Sequence, residues 1–156
     1  MSSLSDATLA VLVEQHAAFR EVLDGLSDAD LHWMPGAEMN SLAMLVSHVC
    51  ESEGRILRIA IEGEYRDPDE LIATRLKAFE AGQALTGDDL RTLLAAADAE
   101  AARVLPKLDD SDLAAVRVHR GVEGTAAFWV QRVLTHLGEH VGNALLTRQL
   151  LEARGK

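Results

Sequence analysis

"TAAFWVQRVLTHLGEHVGNALLTRQLLEARG", residues 125–155, decides the fold. Trp129, Val133, His136, His140, Ala144, Thr147 and Leu151 follow one another at steps of three and four. That period places them on one stripe of an α-helix running from about Thr125 to Ala153, with Gly155 just beyond it. A helix of this length with one apolar stripe needs other helices to bury it. The stripe also carries two imidazoles, and their purpose is the main question the sequence poses.

The same period recurs upstream. Leu9, Leu12, His16, Phe19, Leu23 and Leu26 form a first stripe, which stops at the Gly- and Asp-containing "DGLSDAD". Pro35 and Gly36 mark a turn, and Asn40 or Ser41 is a ready N-cap for a second helix. Its buried face runs through Leu42, Leu45, Val46, Val49, Ile56, Leu57 and Ala60. Asp67 then caps, and Pro68 opens, a shorter helical stretch to about Ala84. Thr86 and Asp89 have capping-box spacing and start another helix, which Pro106 ends. Residues 106–124 are the least helical part; "AVRVH" alternates like a strand, and Gly121 and Gly124 bracket the end of the loop.

Four long helices near 5–25, 40–62, 87–105 and 126–153 predict an all-α protein. The expected architecture is an antiparallel, up-down four-helix bundle with a short connecting helix. No repeat, low-complexity tract or linker divides it, so residues 1–156 read as a single domain.

Of the 156 residues, 48% are hydrophobic and 26% charged, with a net charge of −10. The acids are spread along the chain, which argues against nucleic acid as a partner, because phosphate binding needs a basic face. No apolar run approaches a membrane span, and "MSSLSDATLA" does not read as a secretory signal. A cytoplasmic address is the expectation. The one cysteine, Cys50, excludes an internal disulfide and a cysteine-cluster metal site, and reads as a small buried hydrophobe.

His136 and His140 differ by about 40° of rotation and about 6 Å of rise, so their rings can converge on one ion. Buried imidazoles otherwise need hydrogen-bond partners, so the pair is either two satisfied core residues or two ligands. His48, beside Leu45 and Val49 on the second helix, is the best third ligand. His16 lies on a buried stripe and reads as packed or as lining the same cavity. His32 and His119 fall in loops and are expected in solvent.

"HLGEH" matches H-x-x-E-H, a metalloprotease signature, but only sixteen residues follow His140, too few for its further acidic ligand. A di-iron carboxylate bundle needs Glu-x-x-His twice, and the chain has none.

"LHWMPGAEMNSLAMLVSHVCESE" and "VLTHLGEHVGNALL" together resemble the DinB-like superfamily, which includes YfiT-type hydrolases and thiol-dependent S-transferases. The first stretch is similar to that family's tryptophan–proline turn, Asn-Ser helix start and second-helix histidine, with Glu53 five residues on. The second is similar to its closing H-x-x-x-H element, with Asn143 where glutamine is commoner and Glu139 where a polar or histidine residue is frequent.

The resemblance implies that His48, His136 and His140 hold one divalent ion, zinc or nickel first among the candidates. His16, Glu53, Trp129, Glu139 and Asn143 then border the site or its pocket, with no general acid or base assigned. It further implies a small-molecule substrate and a low-molecular-weight thiol as co-substrate. The alternatives are a metal-dependent hydrolase or a non-catalytic metal-binding, stress-related module. Family habit, with apolar Leu150 and Leu151 near the C-terminus, points to a homodimer.

Overall fold

Ser41 starts the helix around which the others are arranged: its hydroxyl accepts from the Met44 N–H, and the helix runs Leu42–Glu62. In the computed structural model, which describes residues 3–63, 68–119 and 121–154, this is α3. It follows α1 (Ser3–Leu23) and a one-turn α2 (Asp28–Leu31), and precedes α4 (Pro68–Gly82) and α5 (Gly87–Val104). A 3-10 turn at Leu105–Lys107, a short α6 (Asp110–Ala114), strands β1 (Val116–His119) and β2 (Val122–Thr125), and α7 (Ala126–Ala153) complete the order. The expected N-cap at Asp67 lies outside the described residues. Thr86 and Asp89 do form a reciprocal capping box, each accepting the other's backbone N–H.

The all-α four-helix bundle predicted from the periodicity is present, built from α1, α3, α5 and α7 with α4 as the shorter connector. Its directions differ from strict up-down alternation. α1 is antiparallel to α5: Ser5 donates to Leu108 O, His16 meets Asp98, and Asp24 meets Arg91. α1 is parallel to α7, because Gln15 donates to Leu134 O and Arg148 to Val22 O. α3 and α5 also run parallel, Cys50 lying level with Leu93 and Arg58 with Arg103. The order is therefore up, down, down, up.

The cause is α4. It returns along α3 until Gly82 lies against Ala43 and Met44, where a Cβ would come within 2.9 Å of the Ala43 carbonyl oxygen. The chain thus regains the start of α3 before α5 begins. With α4, α5 and α7 all packed on it, α3 is buried on nearly every side. Leu45, Val46, Val49, Leu57, Leu94, Val133 and Leu137 belong to the single core cluster between the helices.

The alternating "VRVH" is β1, paired antiparallel with β2 in the register Val116↔Thr125 to His119↔Val122, with Gly121 at φ 76° in the turn. β2 departs from the expected loop: "VEGT" contains a glycine and is too short to show alternation of its own. Arg117 of β1 donates to the Ala60 and Ile61 carbonyls, satisfying acceptors at the end of α3.

Candidate metal centre

Three imidazoles from two helices meet between α3 and α7. His48 is 1% exposed on α3, and the half-buried His136 and His140 stand one turn apart on α7. Ring centroids are 5.2 Å apart for His48–His136, 4.9 Å for His48–His140 and 4.6 Å for His136–His140. One nitrogen from each ring lies within 4.8 Å of the others.

Two nitrogens bound to one tetrahedral ion at about 2.0–2.1 Å are roughly 3.4 Å apart, so small ring rotations bring this set to ligand distance. The donor set, imidazole only, suits zinc, nickel, copper or iron(II) rather than magnesium or calcium.

The site is braced on the α3 side. Phe79 of α4 stacks on His48 with centroids 4.4 Å apart and planes 14° from parallel. Ser52, one turn along α3, places its hydroxyl 3.3 Å from His48 Nδ1. Neither residue belongs to the sequence expectation. Ser52 was legible in principle, four residues after His48, whereas Phe79 depends on how α4 folds back.

The residues expected to border the centre distribute differently. His16 (0% exposed) and Glu53 (1% exposed) meet each other, Nε2 to Oε2 at 2.6 Å, in the bundle interior. His16 Nδ1 is 2.7 Å from Asp98 Oδ1, and Arg20 donates to the other Asp98 oxygen. An imidazole donating to two carboxylates must carry both ring protons. Burial alone would depress its pKa, but the hydrogen bonds and charges of Glu53 and Asp98 outweigh that and hold it above the usual 6.5. Burial pushes Asp98 up in turn, yet hydrogen bonds from His16 and Arg20 and their charges bring it below the ordinary 3.8. Asp98 had a signal in the sequence, an acid in register with the buried Leu90, Leu94 and Ala101.

Glu139 is exposed and is not part of the histidine cluster. Asn143 is exposed too, lining a shallow cavity of ≈ 180 Å³ with Leu45 and Thr147, one turn from His140. Trp129 is buried two turns before His136, its ring edge-on to His119 and Phe128.

Two expectations about exposure are corrected. His119 is 6% exposed, because β1 lays it against Trp129 with centroids 5.5 Å apart. His32 is half-buried, its Nε2 donating to Leu85 O at 2.8 Å. Cys50 is half-buried, and burial, then the Glu53 charge, pushes its thiol up to about 12. A nucleophilic thiolate is thereby disfavoured. No helix among the described residues is long and apolar enough to cross a membrane.

A four-helix bundle presenting three convergent histidines from two helices defines a class of candidate metal-binding proteins. Within it the chain belongs to the DinB superfamily, whose family model matches residues 12–144. No curated protein sequence matches it.

Among solved structures it is similar to a conserved protein from Enterococcus faecalis, at 18% identity and TM-score 0.77, covering 98% of this chain and 99% of that one. It is also similar to YfiT from Bacillus subtilis, described as a probable metal-dependent hydrolase with an unusual four-helix bundle topology. That match has 18% identity and TM-score 0.75, covering 99% of this chain and 90% of YfiT. A third is a mycothiol-dependent maleylpyruvate isomerase, at 15% identity and TM-score 0.68. It covers 92% of this chain but 63% of the isomerase, so the chain spans less than two thirds of that protein.

Proposed function

We propose that His48, His136 and His140 are the protein ligands of one divalent ion, zinc or nickel, in an enzyme that transfers a low-molecular-weight thiol to an electrophilic small molecule. The observation that carries this reading is the convergence of three imidazole nitrogens within 4.8 Å. Three protein ligands leave a coordination position for substrate, the pattern of catalytic rather than structural sites. A bound divalent ion supplies Lewis acidity there, lowering the pKa of a thiol or water held in that position.

The chain's own residues account for the rest. The His48 ring is stacked on Phe79, with the Ser52 hydroxyl 3.3 Å from Nδ1 and 3.4 Å from Nε2, so its position on α3 is braced before any ligand arrives. Phe79 also covers one face of that imidazole. Cys50 lines the cavity between α3 and α5 rather than joining the histidine cluster, so the thiol in this reading is a co-substrate's. The mycothiol-dependent isomerase of the same fold supports a thiol; YfiT supports a second reading, metal-dependent hydrolysis. A non-catalytic metal-binding module is the third.

Elemental analysis of purified protein tests the centre. Cobalt(II)-substituted protein tests the co-substrate: a thiolate-to-metal absorption band on adding a cysteinyl thiol supports transfer. Ester or amide hydrolysis without that band selects the hydrolase, and neither response selects the binding module. We further propose a homodimer. Leu145, Leu146 and Leu150 are exposed along α7, whereas Leu151 is buried in the protomer and does not contribute. Sedimentation showing only the 16.9 kDa species at micromolar concentration overturns the dimer.

A further inference from the structure

Thr147 of α7 is 4% exposed, yet its hydroxyl makes no hydrogen bond among the described residues. A threonine inside a helix commonly donates to the carbonyl four residues earlier. Thr92 and Thr135 do so, to Asp88 O at 2.9 Å and Gln131 O at 3.3 Å. Thr147 instead lines the cavity of ≈ 180 Å³ between α7, the start of α3 and the loop that ends at Asn40. The other polar side chains around that cavity are unengaged too: half-buried Asn40, and exposed Asn143 and Glu38, form no hydrogen bond with the described residues. Water meets the exposed groups, but unmet hydrogen-bonding capacity at Thr147 and Asn40 calls for a partner.

The cavity continues the line of the histidines. Asn143 follows His140 by three residues and Thr147 by seven, while on antiparallel α3 Leu45 precedes His48 by three. A group held by Asn143 therefore lies about one helical turn, roughly 5 Å, along the bundle from His140. The volume is below the roughly 300 Å³ at which sites for whole small molecules begin, so it suits one end of a ligand.

We infer that this cavity holds an uncharged carboxamide of the small-molecule substrate, an inference that rests on the metal centre proposed above for the other end of the same ligand. Two asparagine amides and a hydroxyl each offer a donor and an acceptor. An ammonium has no lone pair to meet the donors, and a carboxylate has no proton for the acceptors and faces the charge of Glu38. A carboxamide carries both on adjacent atoms and can pair with an asparagine amide through two hydrogen bonds. Leu45 and Leu146 supply an apolar wall for its alkyl part.

Propionamide is the probe, with propionate and propylamine as controls, titrated at pH 7 into metal-free, isotope-labelled full chain. Saturable shifts at roughly 10–100 mM are expected for so small a fragment, at the side-chain NH2 signals of Asn40 and Asn143 and the Thr147 methyl. Each control should bind at least about fivefold more weakly. Thr147→Val keeps the shape and removes the hydroxyl; with its fold checked by circular dichroism, it should weaken binding about two- to tenfold. In cobalt(II)-loaded protein, N-acetylcysteamine should raise the thiolate band at a concentration at least about tenfold lower than butanethiol, and Asn143→Ala should remove that advantage. Amide shifts at these residues in a chain that takes up no metal would retain the pocket and remove the centre. Equal binding of propionate, unchanged affinity in the folded Thr147→Val variant, or no saturable shift at the cavity overturns the pocket and leaves the centre untouched.

Discussion

His16 Nε2 and Glu53 Oε2 meet at 2.6 Å across the diagonal of the bundle, joining α1 to α3, two helices that are not side-by-side neighbours. The contact places a charged pair where a core normally holds only hydrocarbon. Asp98 and Arg20 extend it toward the surface, so that two cations face two anions.

That arrangement makes stability depend on pH in a defined direction. The folded pKa of His16 is raised, so its contribution is fully present below about pH 6.5 and is lost as pH rises through the folded value. Asp98 is shifted down, so its contribution is present above the ordinary carboxylate pKa and is lost as pH falls through its folded value. Melting temperature should therefore decline on the alkaline side. His16→Ala should remove that decline and cost about 3–5 kcal/mol near pH 6, since it strands a buried carboxylate. Thermal melts from pH 4 to 9 check both. An unchanged alkaline slope in His16→Ala argues against the imidazolium assignment.

Metal content should follow the three histidines individually. His48→Ala, His136→Ala and His140→Ala should each lose stoichiometric metal in purified protein, measured by plasma mass spectrometry. His32→Ala should keep it, while losing about 1 kcal/mol from the hydrogen bond to Leu85. Full metal in His48→Ala would remove that residue from the ligand set.

The brace on His48 should appear in affinity rather than in stoichiometry. Ser52→Ala removes the hydroxyl 3.3 Å from Nδ1 and should weaken metal binding about 10–100-fold, as loss of a ligand's outer partner generally does. Phe79→Ala should also weaken it and cost about 0.5–1.5 kcal/mol for the lost stack, beyond the area exposed. Competition with a chromophoric chelator gives both values; parent affinity in Ser52→Ala would show that the hydroxyl does not orient the ring.

Gly82→Ala tests the packing that returns α4 to the start of α3. The added Cβ would lie 2.9 Å from Ala43 O and Met44 Cα, backbone atoms that cannot rotate away. About 1–3 kcal/mol of destabilisation in urea is expected. A neutral substitution would mean that α4 lifts from α3 without loss.

The bundle was legible in the sequence because its long helices carry period and punctuation together. Residues 126–153 are helical as expected, and Ser41, Thr86 and Thr125 are N-caps. The one-turn α2 and α6 were not legible as helices, since four or five residues cannot display a 3.6-residue period. Their capping boxes, Ser27 with Asp30 and Asp109 with Asp112, were the available signal. Helix directions were hidden for a different reason. An apolar stripe says which face is buried but not which neighbour buries it, so the parallel pairs α1–α7 and α3–α5 emerge only from contacts. The same limit explains His119, whose burial depends on a hairpin folding onto Trp129.

The pairing of the first long helix with the last has a consequence for the order of folding. Gln15 and Leu134, bonded to each other, are 119 residues apart in sequence. Contacts of such separation require most of the chain to be present and its loops closed before they form, which slows folding relative to bundles built from consecutive hairpins. On a ribosome, α1 emerges long before α7 and must wait with its core residues Leu12 and Phe19 not yet fully covered. Two of the three clustered imidazoles lie on α7, so the histidine set is assembled only when the last helix docks. A metal ion added during refolding should therefore accelerate nothing before that step, and should slow mainly the loss of α7 afterwards.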